Sequence, residues 1–545
     1  MQTGSLRRIS AVSAAFLISA SVLTAGSVAI AAAATPVTSS VGTGQTASRS
    51  SQITTDLPTV SLISPTSGSH GYPYDAVPST ALIPNAPSIN LAARGYAEQE
   101  YLMSGTANEY QQSGIWGSNG RWGVSVSQAN VPYTTRLLVR YPTNPAKFNG
   151  TVVVEWLNDT TGGDQDPVWS ELYNQILNNG YAYVGVTAQA AGVGDLKAWD
   201  PTRYGALSES SDLQSYDIFT EAAEAAIQEG STLFGGLTPK TVLGTGDSQS
   251  ALRLDTYVNA FQPVFHEYNG FLAVGRAAVA APLGNGLASL TPLPADIRTD
   301  NTAPFIQLQT EGDVYELGSV LARQADNNDL RTWEVAGASH IDEHEATYET
   351  ETIFKEEPTE PIPECEFGVP SGIANVNEAD SMPLFEVEDA ALSALQNWVT
   401  QGVQPPHGQP ISTVPFFNTV ERDQYQNALG GTRLPEIQVP TATYSAINFA
   451  SGQANSAPSL STLLGLLQLL TTGGSNDPTG RTEGLCLLSG YDTPFSTATL
   501  TQLYPTHADY VSKYDAAVMS DLNAGFLTPL DAFVEAFDAQ ASSVP

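Results

Sequence analysis

Residues 240–251 carry the strongest chemical pattern in the chain. Lys240-Thr241-Val242-Leu243-Gly244-Thr245 reads as a strand, Gly246-Asp247-Ser248-Gln249-Ser250 follows, and a helical segment begins at once. This is the nucleophile-elbow pattern G-x-S-x-G, with Ser250 in place of the last glycine. Small neighbours are needed because the strand must turn sharply into the helix with the serine at its tip. The helix N-terminus then favours negative charge developing beside Ser248. Without a base, the same residues would be only a Ser/Gly-rich strand–helix loop.

A serine is a weak nucleophile and needs a base, itself oriented by an acid. In folds built around such an elbow the order is Ser, then Asp or Glu, then His, each on a loop after a later strand. Pro304–Gln309 reads as a strand and Thr310-Glu311-Gly312-Asp313 as its turn. Asp313 is the expected acid, with Glu311 as the alternative. Thr332–Val335 reads as the next strand, and Ala336-Gly337-Ala338-Ser339-His340 as its loop, making His340 the expected general base. His266, also downstream of the serine, lacks this strand–loop setting. The oxyanion hole takes the amide of the residue after the nucleophile, Gln249, and a second amide from the loop after an early strand. Thr151–Leu157 is that strand, and Asn158 or Asp159 the expected donor. This chemistry calls for no metal and no organic cofactor.

A competing pattern overlaps the base. His340-Ile341-Asp342-Glu343-His344 matches H-x-x-E-H, a zinc-peptidase motif that needs both histidines on one helical face and a third ligand downstream. A strand and a Gly-Ala-Ser loop lead directly into His340, which argues against one helix covering both. Residues 343–366 hold nine glutamates, so an acid beside a histidine arises easily by chance. That acidic run reads as a solvated insertion at about 343–380.

The elements that must position these residues alternate. Arg136–Tyr141, Thr151–Leu157, Tyr181–Thr187, Lys240–Gly244, Gly270–Gly275, Phe305–Gln309 and Thr332–Val335 are short apolar runs, as expected for strands buried on both faces. Between two of them, Asp166-Pro167 reads as an N-cap followed by Pro at the first helical position. Trp169, Leu172, Tyr173, Ile176 and Leu177 then recur with helical period, and Gly180 closes the helix. Residues 213–229, 249–262, 316–326 and 386–401 also read as helices. The alternation predicts an α/β fold with a mostly parallel central sheet flanked by helices.

Four stretches resemble a known pattern. They are Phe148-Asn149-Gly150-Thr151-Val152-Val153-Val154-Glu155-Trp156-Leu157-Asn158, Leu196-Lys197-Ala198-Trp199-Asp200-Pro201-Thr202-Arg203-Tyr204-Gly205, Leu503-Tyr504-Pro505-Thr506-His507 and Gly525-Phe526-Leu527. With Ser248-Gln249-Ser250 they make the chain similar to the α/β-hydrolase superfamily, and within it to a bacterial "alpha/beta hydrolase domain" family of undefined substrate. The resemblance runs from about residue 90 to the end. It implies one elaborated catalytic domain with Ser248 as nucleophile, and it implies no particular substrate.

The remaining features set boundaries. Arg7 and Arg8, the apolar run Ala14–Ile30 and Ala32-Ala33-Ala34 read as a signal peptide, residues 1–34. A membrane anchor is the alternative, but the run is short for a bilayer span. Residues 35–90 read as an extended segment, 91–402 as the α/β core, and 403–545 as a helical elaboration packed on it. Within the elaboration, Leu460–Leu470 is a leucine-rich stretch, either a lid over the serine or a core helix. Thr528-Pro529 opens a last helix whose face Leu530, Phe533, Val534 and Phe537 is expected to pack. Cys365 and Cys486 could pair in an oxidising compartment. Charged residues are only 14% of the 545, and 56 acidic against 21 basic give a net charge of −35. Tracking phosphates or adsorbing to an anionic membrane needs basic patches, so nucleic-acid partners and anionic membrane surfaces are excluded. The expectation is therefore a secreted serine hydrolase of small-molecule or lipid-like esters, with no membrane span after signal cleavage. Its alternatives are an acyltransferase and a catalytically silent binding protein on the same scaffold.

Overall fold

Nine strands form one sheet in the computed structural model, which describes residues 57–69, 89–160, 162–284, 291–301, 303–348, 365, 380–414, 419–448, 484 and 486–544. The expected signal segment, much of 35–90, most of the acidic insertion and the leucine stretch 460–470 lie outside these residues. The strands are β1 (Thr59–Leu62), β2 (Tyr96–Ser113), β3 (Gly123–Pro142), β4 (Thr151–Trp156), β5 (Ala182–Val186), β6 (Thr241–Asp247), β7 (Gly270–Val274), β8 (Phe305–Thr310) and β9 (Leu330–Val335). Their spatial order is β1-β2-β3-β5-β4-β6-β7-β8-β9. The first four in that order pair antiparallel, and β5 to β9 run parallel.

The parallel strands are apolar because both faces are covered. In β4, Val152, Val154 and Trp156 enter one core layer while Val153 enters the other. Helix α1 (Pro167–Asn179) covers the Val153 face with Trp169, Leu172 and Ile176. Helix α2 (Ser215–Gln228) covers the opposite face with Ile218, Phe219 and Ala222. Helix α5 (Leu384–Gln401) joins α1, packing Val387, Leu392 and Leu395.

Several expectations are corrected. Arg136–Tyr141 is the end of the 20-residue β3, whose hairpin with the 18-residue β2 was not expected. Its polar residues are buried by cross-strand pairing: Arg140 meets Glu98 at 2.9 Å, and Arg136 meets Glu100 at 3.4 Å. Asp166 stands at the N-cap of α1, but its carboxylate pairs with Arg140 at 2.8 Å. The helix is capped instead by Glu155 of β4, whose two oxygens accept from the Val168 and Trp169 amides, each at 3.0 Å. Helix α3 (Gln249–Thr256) passes into a π-turn at Tyr257–Phe261. The helix expected over 316–326 is replaced by the short α4 (Glu311–Tyr315) and a 3₁₀ turn at Ser319–Ala322, separated by Gly318 at φ +66°. Of the C-terminal helices α6 (His507–Ala524) and α7 (Pro529–Ala541), the second turns its expected packing face outward. Phe533 is 69% exposed, and α7 instead buries Asp531, Ala532 and Ala539.

Cys365 and Cys486 form a disulfide with Cα atoms 5.5 Å apart. Close by, the Ile341 amide, next to His340, donates to Leu488 O at 2.9 Å. The crosslink spans 121 residues of sequence, so loop-closure entropy assigns it up to about 4–5 kcal/mol. Reduction with dithiothreitol is expected to lower Tm by up to about 4 °C, since a chain of this length loses about 1 °C per kcal/mol. Free thiols with an unchanged Tm would show that the crosslink contributes no stability.

Candidate active site

Ser248 occupies the turn between β6 and α3 with φ 55° and ψ −117°, a conformation that side chains rarely adopt. Three contacts hold it there. The Ser248 amide donates to Val274 O of β7 at 3.0 Å. The Ser250 hydroxyl donates to Asp247 O at 2.8 Å and accepts from the Asp247 amide at 3.0 Å. Ser250, standing where the pattern has glycine, therefore braces the turn. Finally, Asn158 Nδ2 donates to Asp247 O at 3.0 Å, tying the loop after β4 to the elbow.

His340 lies in the loop after β9, and its Nε2 is 2.8 Å from Ser248 Oγ. Its Nδ1 is 2.6 Å from Asp313 Oδ1. Asp313 is fixed by its own helix end: Thr310 Oγ accepts from the Asp313 amide at 3.1 Å, and Asp313 Oδ2 accepts from the Thr310 amide at 2.7 Å. This capping box makes the expected turn the start of α4. Ser248, His340 and Asp313 are 5%, 4% and 0% exposed. The structure thus brings the three residues into one hydrogen-bonded chain.

Glu311 does not join it. Its carboxylate pairs with Arg422 and accepts from the Gly337 amide at 2.9 Å, holding the loop that carries His340. Of the expected oxyanion donors, Asn158 has its amide occupied by Gln165 O at 2.9 Å. The Asp159 and Gln249 amides make no such bond among the described residues. Gln249 is the first residue of α3, where amides lack intrahelical partners. Burial, with the charge of Asp164 beside it, pushes the Asp159 carboxyl well above its ordinary range.

The two histidines of the H-x-x-E-H pattern diverge. His340 precedes the helical turn at 343–348. His344 stacks between Tyr173 and Phe385, and its Nε2 donates to Ser170 O at 3.1 Å. Their ring nitrogens therefore face different partners.

A parallel sheet with a serine elbow after β6, a carboxylate after β8 and a histidine after β9 defines the α/β-hydrolase class. The sequence matches the family model described as "Alpha/beta hydrolase domain" over residues 62–534, and the chain belongs to that family. No curated protein matches it. Solved structures to which the chain is similar include an alpha-beta serine hydrolase homologue from Coxiella burnetii (13% identity, 42% of this chain and 90% of that one, TM-score 0.24). A dienelactone hydrolase from Anabaena variabilis aligns at 12% identity over 43% of this chain and 88% of that one, TM-score 0.25. A lidless serine hydrolase from Xanthomonas campestris aligns at 13% identity over 42% and 86%, TM-score 0.23.

Proposed function

We propose that the protein is a secreted serine hydrolase of carboxylic esters, working through an acyl-enzyme. The carrying observation is the chain of contacts from Ser248 Oγ through His340 to Asp313. Ser248 Oγ attacks the ester carbonyl carbon while its proton passes to His340 Nε2. The carbonyl electron pair moves onto oxygen, where the Gln249 and Asp159 amides are the donors we assign. Collapse of the tetrahedral adduct expels the alcohol, which takes the proton from Nε2. Water then repeats the sequence and releases the acid. Asp313 holds Nδ1–H in the orientation this transfer needs. The substrate is a small-molecule or lipid-like ester. Secretion is supported by the leader pattern at residues 1–34 and by the disulfide. Among the described residues no helix is long and apolar enough to cross a membrane.

A fluorophosphonate probe tests this reading. It is expected to form one covalent adduct per chain, on the peptide bearing Ser248, and to abolish hydrolysis of p-nitrophenyl acetate in proportion to labelling. Labelling elsewhere, or turnover that persists in the fully labelled protein, would overturn it.

A further inference from the structure

A second carboxylate stands beside the histidine. Asp247 ends β6 immediately before Ser248 and is 6% exposed. Its Oδ1 is buried and has no hydrogen-bond partner among the described residues. Facing it is Gly275, just past β7, at φ +62°. A β-carbon at Gly275 would stand 2.6 Å from Asp247 Oδ1, 2.6 Å from His340 Cε1 and 2.9 Å from His340 Nδ1. The carboxylate oxygen and the Cε1 edge of the imidazole therefore lie within twice 2.6 Å of each other, across a space that any side chain at position 275 would fill.

We infer that Asp247 is a positioning residue for this reaction: its ionised carboxylate faces the Cε1–H edge of His340 and stabilises the imidazolium formed as Ser248 attacks. The inference rests on the proposed serine chemistry. Imidazolium charge is shared between both nitrogens and the Cε1–H between them. Asp313 meets that charge at Nδ1, and Asp247 meets it at the carbon. A buried carboxylate with one oxygen unpaired is costly unless an opposite charge appears beside it. To accept the serine proton His340 must be neutral, and it gains its charge during attack. The ionisable groups acting on Asp247 are His340 and Asp313, together with Glu388 of α5, which feels its charge in turn. Burial, first, and the charge of Asp313 push the Asp247 carboxyl up, while positive charge on His340 and the Ser248 amide oppose them, leaving it at about 7 when the imidazole is charged. Asp247 thus loses its charge as pH falls through neutrality, and its support for the imidazolium goes with it.

The test is the pH profile of kcat/KM for p-nitrophenyl acetate in wild type and Asp247→Asn, with folding checked by Tm. In Asp247→Asn the plateau is expected to fall about 10- to 100-fold, as for one charge removed a few ångströms away in a medium of high effective dielectric. Its acid limb is expected to move to lower pH, because the imidazolium loses a stabilising neighbour, and to follow a single proton. The wild-type limb is expected to be steeper than one proton, a measurement that does not depend on the variant folding. A wild-type limb of unit slope, or a variant whose limb stays in place, would overturn the inference, even if the plateau fell. Turnover surviving Ser248→Ala would instead overturn the reading of the site itself. Turnover lost in Ser248→Ala, beside an unchanged Asp247→Asn profile, would remove only the role of Asp247.

Discussion

Ser248→Ala is expected to lower kcat on p-nitrophenyl acetate by about 10⁴- to 10⁶-fold while leaving Tm within about 2 °C of wild type. The size follows from the chemistry, because Oγ is the atom that bonds to the acyl carbon and its loss leaves only the amide donors and substrate binding. The small stability effect follows from the packing. Alanine keeps the Cβ, and the bonds that brace the elbow come from the Ser248 amide, Ser250 and Asn158 rather than from the Ser248 hydroxyl. The strained φ of 55° is paid for by those bonds and is unchanged in the variant. Activity within tenfold of wild type in a folded variant would show that another group is the nucleophile.

The strands that hold this serine were legible because they are buried on both faces. Val152-Val153-Val154 and Phe305-Ile306 stand out as apolar runs wherever the sheet is covered by helices. The triad candidates were legible because strand–loop order places each of them at the same end of the sheet. The long β2–β3 hairpin was hidden, since Glu98, Glu100, Arg136 and Arg140 look solvent-facing until their partners across the hairpin neutralise them. The same cause hid the cap of α1, because Arg140 draws the Asp166 carboxylate away and Glu155 replaces it. Local periodicity also misjudged α7, whose Leu530, Phe533, Val534 and Phe537 face outward while its alanine side packs. Within the site, Asn158 was a reasonable donor by position, and only its pairing with Gln165 removes it. Asp247 was in plain view inside the elbow, but its significance needs Gly275 and His340 in space.

Asp313→Asn is expected to lower kcat by about 10³- to 10⁴-fold, whereas Glu311→Gln should keep kcat within about tenfold and lose about 1–3 kcal/mol of stability. The two acids are two residues apart, so sequence order alone left them as alternatives. Their partners differ. Asp313 Oδ1 receives the Nδ1 hydrogen of His340 at 2.6 Å. Asparagine there can present an amide hydrogen instead of an acceptor, which favours the wrong tautomer of the base and leaves Nε2 unable to take the serine proton. The capping bond from the Thr310 amide can pass to the asparagine oxygen, so Asp313→Asn should stay folded. Glu311 instead pairs with Arg422 and holds the Gly337 amide, three residues before His340. Glutamine keeps an acceptor for Gly337 but loses the ion pair, so the loop softens while the base keeps its acid. Urea unfolding and steady-state kinetics on both variants separate the roles. A Glu311→Gln protein of wild-type stability that has lost as much kcat as Asp313→Asn would move the acid assignment from Asp313 to Glu311.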